Sequence, residues 1–136
     1  MKNKIHIIEV ENNETQSVEK IIRKIKENKI IYVKNKFHEN EDLLDSINAN
    51  GPAIILNSSG SSGKPRQCFH HLNNLKLSAV TSGQWLIEQG FELQNCLILN
   101  TLPLNHISGL MPIFRSQSWG CAVSYTHLTL PTIYSV

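Results

Sequence analysis

Asn57 is followed by Ser58, Ser59, Gly60, Ser61, Ser62, Gly63, Lys64, Pro65 and Arg66, an unbroken run of small, polar and cationic residues. Residue types in this order suit an anion. Gly60 and Gly63 allow backbone conformations closed to other residues and bring N–H groups close to a ligand. The serine hydroxyls can donate hydrogen bonds to phosphate oxygens, and Lys64 and Arg66 add positive charge. Two common phosphate loops do not fit. Ser58 stands where the nucleotide triphosphatase loop needs its first glycine, and Pro65 stands where it needs a metal-binding hydroxyl. The dinucleotide fingerprint fails because Ser58, two residues before Gly60, is not glycine. A flexible Ser-Gly linker is the plain alternative. Against it, the run grows directly out of the apolar stretch 53–56 and ends in Lys-Pro-Arg.

Other reactive side chains offer less. Cys68, Cys96 and Cys121 are widely spaced and contain no CxxC pair, which suits reduced thiols and gives neither a disulfide framework nor a zinc site. His70 and His71 are adjacent, and in extended chain they point to opposite faces, so they make a poor metal pair. No metal site is expected within the chain.

The elements that must position the loop follow from hydrophobic spacing. Residues 5–10 read as a short strand. Residues 17–29 read as an amphipathic helix, with Val18, Ile21, Ile22 and Ile25 on one face and Ser17 as its cap. A second strand is expected at 30–33, and 34–50 is polar with a weak helical turn around Leu43 and Leu44. Gly51-Pro52 turns the chain into a strand at 53–56 that delivers it to the loop. Beyond the loop, 68–71 reads as extended. A helix at 72–89 carries Leu72, Leu75, Ala79, Ser82 and Leu86 on one face and stops at Gly90. A strand at 96–99, a loop at 101–106 and a helix from Ser108 or Gly109 to Trp119 complete the pattern, with Pro112 placed in the first helical turn. Trp85 and Trp119 read as core aromatics. Apolar strands without alternation, separated by helices, indicate an α/β fold with a mostly parallel sheet buried on both faces.

The chain has 136 residues, 40% of them hydrophobic, enough for one modest core. A net charge of +2 argues against electrostatic binding to nucleic acid. Charge is unevenly spread. Residues 1–50 hold nine Lys/Arg and nine Asp/Glu, whereas 51–136 hold only Lys64, Lys76, Arg66, Arg115, Glu88 and Glu92. So thin a charge suggests surface that further protein covers. Glu9 and Glu11 interrupt the first apolar run, so no signal peptide is read, and no stretch is long enough to span a membrane. A cytoplasmic protein is expected. Residues 123–132 resemble the conceptual translation of a transposase sequencing adapter. The expectation is therefore a native chain from Met1 to about Ala122, with 123–136 not native and His127 without functional weight.

Two segments then carry a resemblance. Residues 58–66 resemble the Ser/Thr-Gly-rich phosphate loop of the adenylate-forming (AMP-binding) enzymes, which include acyl-CoA synthetases, luciferases and peptide-synthetase adenylation domains. Leu102-Pro103-Leu104-Asn105-His106-Ile107-Ser108-Gly109-Leu110 resembles the next motif of that family at a fitting distance. Arg115-Ser116-Gln117-Ser118-Trp119-Gly120 is similar to one branch, the 2-succinylbenzoate–CoA ligases of menaquinone and phylloquinone biosynthesis. The resemblance covers 53–121. Gln67 departs from a usual glycine, Arg66 from a usual lysine, Leu72 from a frequent histidine and Asn105 from a bulky residue. Arg66 keeps the charge; Asn105 leaves the shape of the acyl pocket open.

The resemblance implies that 1–122 is the truncated N-terminal part of an AMP-binding domain. It implies two half-reactions: a carboxylic acid attacks the α-phosphorus of ATP with Mg²⁺ present and pyrophosphate leaves, then the thiol of coenzyme A displaces AMP. Ser58 to Lys64 would grip the β- and γ-phosphates as charge develops on pyrophosphate. His106 would line the acyl site or the path to the thiol, a hydrogen-bonded loop histidine without chemical duty being the plain alternative. Arg115 would meet the unreacting carboxylate of 2-succinylbenzoate, a helix-end or surface arginine being the plain alternative. The family's Mg²⁺-binding Glu, ribose-binding Asp, hinge Arg and mobile Lys are expected further along, so the 136 residues alone are expected to be inactive. Another acid as substrate, or a non-catalytic anion-binding protein, are the competing readings.

Overall fold

The computed structural model describes residues 4–11, 15–36, 50–58 and 66–125. Six strands and three α-helices are found among them: β1 (Ile5–Val10), α1 (Thr15–Lys26), β2 (Ile30–Asn35), β3 (Ala53–Asn57), β4 (Gln67–His71), α2 (Leu72–Glu88), β5 (Leu97–Asn100), α3 (Ile107–Trp119) and β6 (Ala122–Tyr125). A single 3₁₀ turn, Leu93–Asn95, precedes β5.

The first four strands form one sheet in the order β1-β2-β3-β4. β1 and β2 are parallel, with Ile5 opposite Ile30 and Glu9 opposite Lys34, and β2 and β3 are parallel, with Ile31 opposite Ile54. The side-chain alternation of a strand sorts this sheet into two faces. Ile31, Val33, Ile54 and Leu56 join Val18, Ile21 and Ile25 of α1, Leu72, Leu75 and Ala79 of α2, and Leu110, Ile113 and Phe114 of α3 in one core. Ile30, Tyr32 and Ile55 form a smaller cluster with Ile5 and Phe69. Lys34 is buried yet reaches Glu9 at 3.7 Å across the β1–β2 register, so its charge is not stranded in the sheet.

The α/β class with a mostly parallel sheet stands, with corrections in detail. β4 runs antiparallel to β3, so the 57–67 connection is a hairpin before it is a strand-to-helix loop. The strand expected at 96–99 does not extend the first sheet; as β5 it pairs in parallel with β6 in a separate two-stranded sheet. Helix α1 starts at Thr15, which puts Ser17 inside it and buried instead of at its cap. Pro112 lies in the second turn of α3, where its missing N–H gives up a bond to the Ser108 carbonyl. On α2 the buried stripe is Leu72, Leu75, Ala79 and Gly83; Ser82 and Leu86 are only half-buried. Gly83 is there because a Cβ would lie 2.5 Å from Nε1 of Trp119. The weak turn around Leu43 and Leu44 lies outside the described residues. No helix among the described residues is long and apolar enough to cross a membrane.

Candidate functional site

The Ser/Gly/Lys run leaves the sheet at the carboxyl end of β3, a fully buried strand up to Leu56. Ser59, Gly60, Ser61, Ser62, Gly63 and Lys64 lie outside the described residues, but both ends of the loop are placed. Asn57 faces Gln67 in the last strand pair, and its side-chain amide donates to the hydroxyl of buried Tyr32 at 2.7 Å. One residue further, the Ser58 N–H donates to the Arg66 carbonyl at 2.7 Å and the Arg66 N–H donates to Oγ of Ser58 at 3.2 Å. This reciprocal pair joins Ser58 to Arg66 one step beyond the last strand pair. Oγ of Ser58 is oriented by the bond it accepts and keeps its own proton to donate. Arg66 is exposed at the loop's exit.

The second motif is built around Asn100, a residue that the sequence reading passed over. It ends β5 and is 2% exposed. Its amide Nδ2 donates to the Gly109 carbonyl at 2.8 Å, and its Oδ1 accepts from the Leu102 N–H at 3.1 Å. One side chain thus ties the start of the 101–106 loop to the first turn of α3. The loop folds so closely over that turn that a Cβ on Gly109 would fall 1.9 Å from the Pro103 carbonyl oxygen. Only glycine fits there. The signal for Asn100 in sequence is slight: a polar residue ending an apolar strand just before Thr-Leu-Pro.

His106 sits at the N-cap of α3 in extended conformation, its side chain making no capping bond. Its N–H donates to the Pro103 carbonyl at 3.1 Å, and its carbonyl accepts from the N–H groups of Gly109 and Leu110. The backbone is therefore fixed while the imidazole, half-buried, is held by neither cap nor helix. Asn105 beside it is buried.

Arg115 is in a different place. It projects into an open groove between α2 and α3 lined by Leu77, Thr81, Trp85, Leu86 and Trp119, and its buried Nε has no acceptor among the described residues. Eight residues of helix at 1.5 Å rise separate it from the start of α3, about 12 Å. Trp119 donates from Nε1 to the Ala79 carbonyl at 2.8 Å, but Trp85 is 59% exposed and is not the core aromatic expected. No hydrogen bond among the described residues links Ser58 or Arg66 to His106, or either to Arg115. His70, on β4, has its pKa lowered by burial, and the His71 ring meets Phe69 edge-on at 4.8 Å, on the other face as strand alternation requires. No cluster of three or more metal-ligating side chains occurs among the described residues.

No protein-family profile matches the chain. Residue identity of 32% over 80 positions links it to the 2-succinylbenzoate–CoA ligase of Bacillus licheniformis, a match covering 59% of this chain and 16% of that one. In fold, it is similar to the o-succinylbenzoate CoA synthetase of Bacillus subtilis in complex with its acyl-adenylate intermediate. There the TM-score is 0.58 at 18% identity, over 99% of this chain and 47% of the other. The same synthetase in complex with ATP and a magnesium ion gives a TM-score of 0.56 at 18% identity, over 99% and 48%. The chain spans less than half the length of these relatives, and it is similar, in sequence and in fold, to part of the 2-succinylbenzoate–CoA ligases of the adenylate-forming superfamily.

Proposed function

We propose that the chain is the phosphate-gripping, N-terminal part of an AMP-forming acid–CoA ligase whose acid is 2-succinylbenzoate. The observation that carries this reading is the base of the hairpin. A Ser/Gly/Lys loop joined across its base by Ser58 and Arg66 at the carboxyl end of a buried parallel strand stands where open α/β sheets hold ligands. Ser58 to Gly63 supply hydroxyls and backbone N–H groups, and Lys64 supplies charge, to the terminal phosphates of ATP. Donors fixed before the reaction stabilise the charge that develops on departing pyrophosphate. Mg²⁺ bound with the nucleotide would share that charge. Asn100 and Gly109 hold the loop that presents His106, which lines the acyl site or the thiol path. Arg115 is assigned to the second carboxylate of the acid on the strength of its unmet Nε.

The test is the complete protein. The source reading frame is followed across the codons for Trp119 to Val136, and the longest product is assayed for pyrophosphate release with ATP, Mg²⁺, coenzyme A and 2-succinylbenzoate. Release dependent on 2-succinylbenzoate is expected from the complete protein, and none from the 136 residues alone. Release only with a fatty, aryl or amino acid would move the reading to another adenylate-forming ligase. A frame that stops at Val136 would favour a non-catalytic anion-binding protein.

A further inference from the structure

Two cysteines that are far apart in sequence each precede a strand of the small sheet. β5 and β6 pair in parallel with Leu97 opposite Ala122, and Cys96 and Cys121 are the residues immediately before that first pair. Adjacent strands lie about 4.8 Å apart, inside the range of about 4.4–6.8 Å between Cα atoms that a disulfide spans. Each cysteine is also anchored from its own side. The Cys96 N–H closes the 3₁₀ turn onto Leu93, and its Sγ lies 3.4 Å from the Glu92 carbonyl oxygen. Cys121 follows the left-handed Gly120 that ends α3; its N–H donates to the Ser116 carbonyl, and its own carbonyl accepts from Oγ of Ser116 at 2.6 Å. All three cysteines are free thiols. Cys121 is buried and Cys96 half-exposed, and burial together with the neighbouring Cys96 raises the Cys121 pKa. Cys68 is in the other sheet, opposite Leu56.

We propose that Cys96 and Cys121 form a redox-active dithiol that a hydroperoxide closes to a disulfide. The Cys96 thiolate attacks the peroxide oxygen, giving the sulfenic acid and water. The Cys121 sulfur then attacks that sulfur, the S–O bond breaks, and a second water leaves. Two thiols and one hydrogen peroxide thus yield one disulfide and two waters. The bridge encloses β5, the 101–106 loop, His106 and α3, so oxidation fastens the segment that carries His106 at both ends. This inference does not rest on the ligase reading.

The experiment treats the reduced 136-residue chain, at micromolar concentration, with hydrogen peroxide. Remaining thiols are then alkylated and unreduced peptides are mapped by mass. The expected result is loss of two of the three thiols, with one peptide pair joined through Cys96 and Cys121, Cys68 alkylated, and full recovery by dithiothreitol. Cys121→Ser should leave Cys96 as a sulfenic acid that dimedone traps, while Cys68→Ser should bridge as the parent does. Bridges to Cys68 formed as readily, bridges between molecules, or sulfinic acid at Cys96 with Cys121 still alkylatable would each overturn the proposal.

Discussion

The two sheets of this molecule are built from equally apolar strands and end in opposite states. In β2 and β3, Ile31, Tyr32, Val33, Ala53, Ile54 and Ile55 are wholly buried. In β5, Leu97 is 67% and Leu99 61% exposed. The same contrast runs along the helices: α1 covers the first sheet with its apolar stripe, whereas α2 turns Leu77, Val80 and Trp85 to solvent. Residues 1–50, which share the first sheet, hold eighteen charges divided equally, and the second half holds six in all. Charge is thus concentrated in the half that shares the first sheet, and the charge-poor half carries most of the large exposed apolar side chains. The difference teaches that equal apolarity does not fix burial: the central strands of the first sheet lie under helices, whereas β5 leaves Leu97 and Leu99 exposed.

The largest effect that should separate the two is a cavity. Ile54→Ala empties a buried site and is expected to cost about 2–5 kcal/mol in urea unfolding, whereas Leu97→Ala should fall within about 0.5 kcal/mol. Equal losses at both positions would mean that β5 is covered after all. Next comes Gly109→Ala, whose Cβ would collide with the Pro103 carbonyl; about 1–3 kcal/mol of destabilisation is expected, together with raised proteolytic cleavage within residues 101–106. Asn100→Ala leaves the Gly109 carbonyl and the Leu102 N–H without their partner, and about 1–3 kcal/mol should be lost. Leu99→Glu should change thermal stability little but lower self-association in sedimentation velocity, since it breaks an exposed apolar strand.

The smallest effect is a pH slope. Burial lowers the His70 pKa below the usual 6.5, so the unfolded chain takes up that proton first as pH falls. The neutral ring favours the fold, and stability is expected to decline from about pH 6.5 downward until the folded form also protonates. His70→Gln should flatten that part of a urea-midpoint-versus-pH curve; an unchanged slope would place the effect elsewhere, for example at His6, whose pKa is also lowered.

What could be read without coordinates was whatever repeats locally. Strands at 5–10 and 53–56, the helix at 72–89 and the Ser/Gly/Lys run are legible because propensity, spacing and punctuation agree within a few residues of chain. The two motifs at 58–66 and 102–110 are legible for the same reason, each being one continuous segment. Missed were the features made by distant partners. Nothing near Asn100 announces that it will bridge Leu102 and Gly109, and nothing near Trp85 announces that it will face an open groove. Pairing partners escaped too: β4 turned back on β3 and β5 chose β6, because strand pairing depends on which edges remain open once helices have packed.

By itself the sequence determined the kinds of element, their order, and the chemistry of a loop made of hydroxyls, N–H groups and cations. Only the tertiary structure decided that Ser58 bonds Arg66 across the base of that loop, that one buried amide fixes the segment bearing His106, and that Leu97 pairs with Ala122. The physical reason is range. Backbone preference and hydrophobic periodicity act within a few residues, whereas hydrogen bonds, register and burial join positions that meet only when the chain has folded.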